Sequence, residues 1–499
     1  MAGRSIAESF RGRTLLITGS TGFLAKMLVE KILRVQPNVR KLYLLVRAPD
    51  AAAAEQRVLN EVVEKSLFDV LREEHGAAGF HSFIKNKICP LAGDVVHENF
   101  GLGSSEIQQL KQEVEIIVNA AATTNFMERY DVALETNTLG VVHLCQFANR
   151  CDNLKMLLHV STAYVAGEQA GLLLEKPFQM GEALRKGYHL DIEAELQLVD
   201  WTKSELRMKS SSDKISEKTT MKKLGIKRAN HFGWPNTYVL TKAMGEMLLG
   251  QLGRDLPVVI ARPSMITSTI QEPMPGWIEG TRTVDAMFVA YNDQTVPCFI
   301  ADDNVLFDLI PGDMVINAMM AAIASHWNER SQVIYHMSSA HQNPLSSSFI
   351  EESAYIYFDK NPRTGKDGKI VENKKILMFK RFSYFHAYMV LRYKLPLEIM
   401  HVVSMLLGGL YSKNYSKLNR GYNFLMTVAK FYAPYVFFRG CFDDTNLRKL
   451  WKWTAMDQND ASAFNFDPNC INWSSYLINT HIPAALKYDA ENRKAKSVQ

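Results

Sequence analysis

Three features of this sequence predict an α/β fold, a doubly wound and mostly parallel sheet followed by a smaller, mainly helical C-terminal domain. The first is Leu15-Leu16-Ile17, an apolar run of buried-strand type that breaks at Gly19-Ser20-Thr21-Gly22 and resumes as the helical stretch Ala25 to Val29. The second is a rhythm of short apolar runs alternating with helically spaced ones, which implies βαβ units. The third is the loss of that rhythm from Pro344 onward. Residues 1–343 therefore form the first domain and 344–499 the second.

Strand, glycine turn and helix together make a phosphate cradle. Gly19 lets the chain turn sharply, and Gly22 lets a pyrophosphate approach bare backbone. Small Ala25 lets the helix pack closely, and the helix N-terminus faces the anion. Gly19, Ser20, Thr21, Gly22, Phe23 and Leu24 are thus candidate cofactor-binding residues. An ordinary glycine-bearing turn is the alternative, but the motif follows a strand and opens a helix, the context that supports a dinucleotide site.

The next run, Lys41 to Arg47, is a second buried strand that ends in a cation where NAD-preferring sites carry an acid for the ribose hydroxyls. Arg47 suits a 2′-phosphate through a charge-assisted hydrogen bond, so NADPH is expected rather than NADH. Ala51 to Arg72 has helical spacing, and Ile88 to Val95 reads as a third strand with Asp94 and Val95 at its end, where Asp94 is placed to accept from the adenine amine. Glu115 to Ala122 is a fourth strand running into small residues that leave room for a flat cofactor. Tyr130 to Asn149 reads as a helix, and Leu157 to Val165 as a fifth strand ending in the hydroxyls of Ser161 and Thr162.

The rhythm breaks at Gly167. Residues 168–235 are long, charged and weakly periodic, with a serine triplet at 210–212, and an insertion of that kind is expected to be a lid over the substrate end. The sheet resumes at Val258 to Arg262. Between them, Asn236 and Thr237 are good N-caps, and Tyr238 and Lys242 stand four apart on one helix, pointing the same way. A nearby ammonium favours a phenolate, so Lys242 is expected to draw the tyrosine toward working range as a proton donor. Lysine can also hold the nicotinamide ribose.

Composition bounds the rest. The 499 residues are 47% hydrophobic and 22% charged, ordinary for a globular protein of about two domains. A formal charge of +5 is too weak a bias to argue for nucleic acid. Six scattered cysteines have neither C-x-x-C pairs nor zinc-ligand spacing, so no metal is expected and the thiols read as reduced, on the cytosolic side. The N-terminal thirteen residues hold no apolar run of signal-peptide length, so no cleavable secretory or plastid signal is expected, and no clean transmembrane helix is read. Arg381 to Arg439 carries eight Lys and Arg against the single acid Glu398 and is rich in aromatics. Such a stretch either packs as buried helices or offers an amphipathic surface to an anionic membrane. His386 and His401 have no second ligand in register.

The chain resembles an extended short-chain dehydrogenase/reductase, of Rossmann type, with Thr-Gly-Ser-Thr-Gly-Phe-Leu-Ala as nucleotide turn, Ser-Thr-Ala-Tyr-Val as hydroxyl strand and Tyr-Val-Leu-Thr-Lys as active-site helix. More closely it resembles the alcohol-forming fatty acyl-CoA reductases, particularly those of plants. Residues 18–26, 42–47, 159–165 and 261–264 carry this, with Phe464 to Pro468 and Ile471 to Tyr476 resembling that family's C-terminal domain. The resemblance implies reduction of a fatty acyl-CoA by two NADPH to a primary alcohol and free CoA, in lipid or wax metabolism. It implies Tyr238 as proton donor, Lys242 as its partner, and Thr162 in preference to Ser161 as oxyanion-binding hydroxyl, by position relative to Gly167. It also implies peripheral attachment at the cytosolic face of the endoplasmic reticulum or another intracellular membrane, with the cytoplasm as the alternative. A reductase or epimerase acting on a sugar nucleotide or phenylpropanoid thioester, and a non-catalytic nucleotide-binding scaffold, are the competing readings.

Overall fold

A computed structural model describes residues 5–209, 214–293, 296–364 and 369–498. Seven strands form one parallel sheet: β1 (Thr14–Thr18), β2 (Lys41–Val46), β3 (Ile88–Ala92), β4 (Ile116–Asn119), β5 (Met156–Val160), β6 (Val258–Pro263) and β7 (Gln332–Met337). Their order is β7-β6-β5-β4-β1-β2-β3. Every residue of β1, β4 and β6 is buried, which is why these strands read as unbroken apolar runs rather than alternating ones. The order reverses between β1 and β4, so the crevice for a ligand opens at their C-terminal ends.

The strands end earlier than their apolar runs suggest. β4 stops at Asn119, leaving Ala120 to Ala122 as loop, and β5 stops at Val160. Ser161 and Thr162 therefore sit beyond the sheet, and Thr162 caps the short 3-10 turn Ala163–Ala166, its Oγ1 accepting from Tyr164 N at 3.3 Å. β7 escaped the sequence reading: it pairs on one side only, with β6, and mixes polar with apolar residues.

Of the helices that matter to the site, α1 (Phe23–Val35) follows the glycine turn. The insertion holds α2 (Ile192–Lys209) and α3 (Lys214–Phe232), while its serine triplet lies outside the described residues. These helices, in the segment expected to be a lid, are fastened to the body. Tyr130 OH donates to Glu195 at 2.8 Å, Arg228 pairs with the same carboxylate, and a Cβ at Gly225 would meet Thr237 Oγ1 at 2.6 Å.

After the insertion come α4 (Thr237–Leu252), α5 (Val284–Asn292) and, in the C-terminal part, α6 (Leu395–Leu406) and α7 (Ser412–Val436). Two short parallel ladders stitch that part to the first, Gly440–Phe442 on Gly171–Leu173 and Leu377–Phe379 on Cys298–Ile300. Helices α6 and α7 form a hairpin, with His401 stacked on Tyr415 at 4.3 Å. Part of its apolar surface faces outward, where Leu406 is 80% and Leu410 71% exposed. Among the described residues no helix is long and apolar enough to cross a membrane.

Candidate active site

Gly19 has φ +66°, and a Cβ there would lie 2.6 Å from Ala120 O, so only glycine lets β1 turn against the loop after β4. Gly22 caps α1 without a side-chain hydrogen bond. The first N–H groups of the helix thus lack a capping partner from that side chain and suit an anion. Ser20 Oγ donates to Ile17 O at 2.8 Å and lies 3.2 Å from Leu45 O, so its side chain holds the turn and its backbone faces the crevice.

A cavity of about 450 Å³ opens there, bounded by Gly19 to Gly22, Arg47, Asp94, Val95 and the small residues Ala120 to Ala122. Asp94 Oδ1 accepts from Val96 N at 3.2 Å. Arg57, which sequence reasoning missed, lines the same cavity. It donates to the Arg47 backbone carbonyl at 2.5 Å and pairs with Glu61, so two arginines line this cavity. Its signal was there to find, a cation in the first helix after β2.

A second cavity, of about 230 Å³, continues across the glycine turn and shares Gly19, Gly22, Ala120, Ala122 and Thr124 with the first. Phe23, Leu24, Ser161, Thr162 and Tyr238 line it, together with Glu279, Arg282 and Asp285. Among the described residues of 168–235, none lines either cavity. Ser161 Oγ is buried without a hydrogen-bond partner, whereas Thr162 Oγ1 makes only a long bond, 3.4 Å, to Pro263 O besides its cap. Lys26 pairs with Glu279 at 2.6 Å and Phe23 stacks on Trp277 at 5.2 Å, which seats the 277–285 segment over the helix start.

Asn236 caps α4, its Oδ1 accepting from Val239 N at 3.1 Å, and this sets Tyr238 in the first turn facing the cavity. Lys242 is fully buried and does not line the cavity; its Nζ donates to Val160 O at 2.7 Å and lies 3.4 Å from His159 Nε2. The expected electrostatics are corrected here. Burial pushes Tyr238 up to about 12, and the cation that opposes this is Arg282, not Lys242. Burial brings Lys242 down to about 8, against the pull of Glu246.

Phe126 stacks on Tyr238 at 6.0 Å and on Tyr435 at 5.3 Å, so α7 contributes an aromatic wall from the far end of the chain. Beside the second cavity lies a third, of about 100 Å³, walled by apolar side chains that include Met287, Phe288, Phe299, Ile350, Val428 and Val436. Helix α5 and the residues before it separate the two: Arg282 and Asp285 face one, Val284, Met287 and Phe288 the other.

Comparison with known proteins gives the family. A family model described as Male sterility protein, of NAD-binding type, matches residues 17–319, and a second model with the same description matches 392–491. The chain is 47% identical over 479 residues to fatty acyl-CoA reductase 1 of Arabidopsis thaliana, covering 95% of this chain and 97% of that one. It is 44% identical over 487 residues to the alcohol-forming fatty acyl-CoA reductase of Simmondsia chinensis, covering 97% and 98%. The terminal R domain of the myxalamid pathway shares the fold, with a TM-score of 0.56 at 18% identity over 97% of this chain and 91% of that one. The N-terminal part is thus a domain of the kind that binds a nicotinamide cofactor, and with identity sustained from end to end the chain belongs to the fatty acyl-CoA reductase family.

Proposed function

We propose that this protein reduces a fatty acyl-CoA to the primary alcohol with NADPH, releasing CoA after two hydride transfers. The observation that carries this reading is the apolar cavity set directly beside the hydroxyl-lined one, with α5 as their common wall. A thioester carbonyl held at Tyr238 would have its alkyl chain within a few residues' reach of that cavity. Arg47 and Arg57 support a phosphorylated adenosine ribose, since two guanidinium groups meet it where an acid would repel it.

When bound, the dinucleotide supplies hydride, once to the thioester and once to the aldehyde. The protein's part is to position and to move protons. Tyr238 and the hydroxyl of Thr162 donate to the oxygen as charge develops on it, and Ser161 offers a second hydroxyl alongside. Collapse of the hemithioacetal expels CoA thiolate, and Tyr238 protonates the alkoxide after the second hydride. Lys242, beneath this tyrosine, holds the charge state that replenishes it.

The outward apolar face of α6 and α7, flanked by Lys413, Lys417 and Arg420, supports peripheral docking on an anionic membrane at the cytosolic face of the endoplasmic reticulum or another intracellular membrane. Because α7 runs from that face to Val428, Tyr432 and Val436 of the apolar cavity, acyl chains would travel along one helix from membrane to site.

The test is turnover of acyl-CoAs of graded length with NADPH, measuring alcohol and aldehyde, in the natural protein and in Ala286→Phe, which narrows the apolar cavity. The expected result is alcohol as product and a shift to shorter chains in the variant. An unchanged length preference would remove the cavity from the acyl site.

A further inference from the structure

Thr18, Asn119 and His159 are register partners on three neighbouring strands, β1, β4 and β5, so their side chains form one row across the sheet. All three are buried, and the row ends on Lys242 of α4. Its hydrogen bonds have a fixed direction. Ala121 N–H donates to Thr18 Oγ1 at 3.2 Å, and a backbone N–H has no other option. Thr18 then gives its single proton to Asn119 Oδ1, at 2.7 Å. That turns Asn119 Nδ2 to His159 Nδ1, at 3.0 Å, as donor. A neutral imidazole carries one proton, so it sits on Nε2 and faces Lys242 Nζ at 3.4 Å. Rotating the amide would strand the Thr18 proton without an acceptor in a dry interior, which costs more than a hydrogen bond is worth.

We propose that Thr18, Asn119 and His159 are positioning residues that set the protonation of Lys242, by presenting an N–H that the free amine can accept and the ammonium cannot. His159 stays neutral throughout, because burial and the lysine charge both hold it well below its ordinary range. One neighbouring group works against the row: the Glu246 charge favours the ammonium of Lys242. Glu246, on the same helix, is engaged by Arg262 of β6 at 2.5 Å, Tyr238 lies one turn earlier, and Arg282 faces that tyrosine from the segment before α5. Among the described residues, only the Val160 carbonyl, 2.7 Å away, accepts from Lys242 in either charge state. The consequence is an acid kept ready to release its proton near neutral pH, which suits it to resupply Tyr238.

The inference rests on Lys242 belonging to the active site, and the experiment separates the two. Asn119→Asp keeps the shape but can only accept, so it takes Nδ1–H from His159 and leaves Nε2 free to accept from the ammonium. The alkaline limb of kcat/KM for acyl-CoA should move up by about one pH unit. Thr18→Val, which frees the amide, should move it the same way, and Thr18→Ser should restore it. In 15N-histidine-labelled protein, the His159 resonance, assigned by its loss in His159→Gln, should show a bare Nδ1 in the natural chain and a protonated one in Asn119→Asp. A limb that stays in place with Asn119→Asp, or a protonated Nδ1 in the natural chain, overturns the proposal; the second readout holds even if the variants fold poorly. Full activity in Lys242→Met would instead overturn the active-site reading itself.

Discussion

Asn236 Nδ2 donates to the hydroxyl of Tyr435 at 2.7 Å, tying the cap of the active-site helix to a helix 199 positions later. Both side chains are buried, so neither has water as a substitute partner. Tyr435→Phe leaves the amide donor unsatisfied, at a cost of about 1–3 kcal/mol. The expected outcome is a lowered thermal midpoint together with a reduced kcat, read by calorimetry and steady-state kinetics on the same preparation.

Tyr238→Phe keeps the ring stacked on Phe126 and removes the only proton it can give. Alcohol formation should fall by roughly 10²–10⁴-fold while NADPH binding, followed by fluorescence titration, stays near the natural value. Normal turnover would take the proton-donor role away from this residue.

Arg47 and Arg57 line the same cavity, at the end proposed to take the adenosine ribose. Arg47→Asp places a carboxylate where a 2′-phosphate would lie, so NADPH affinity should drop by roughly tenfold or more while NADH gains or holds. Equal losses for both cofactors would mean that Arg47 does not read the phosphate.

Burial places Lys242 at about 8, below its ordinary 10.5. Two pH effects follow, of opposite sense. Turnover that needs the ammonium should decline above about pH 8. Between 8 and 10.5 the unfolded chain binds the proton that the folded one has lost, so this lysine's contribution to stability rises with pH there. Below 8 both states hold the proton and the burial cost is paid in full. Parallel rate and urea-unfolding profiles across that window check both signs.

Lys413 and Lys417 flank the outward apolar side chains of the α6–α7 hairpin. Reversing both to Glu should weaken flotation with vesicles containing anionic lipid and leave turnover of soluble short-chain acyl-CoA intact. Flotation equal to that of the natural chain would show that these charges do not anchor the protein.

Much of this fold was legible because its signals are local. Fully buried parallel strands leave apolar runs, a glycine at positive φ leaves a glycine, and a helix with Asn236 as cap leaves Tyr238 and Lys242 four apart. β7 and the ordered packing of α2 and α3 were not legible, since an edge strand of mixed polarity and a charged helix pair fastened by Glu195 give no periodic signal.

The sequence by itself therefore determined the glycine turn between β1 and α1, the order of the strands and the placing of tyrosine and lysine four apart on one helix. Only the tertiary structure decided which cation acts on Tyr238, where Lys242 points, and that α7 lines the apolar cavity while its Tyr435 stacks on Phe126, which in turn stacks on Tyr238. The reason is physical: a charge acts through distance and burial, and a side chain's partner across a sheet is set by register. Neither quantity is written in the spacing of residues along a chain.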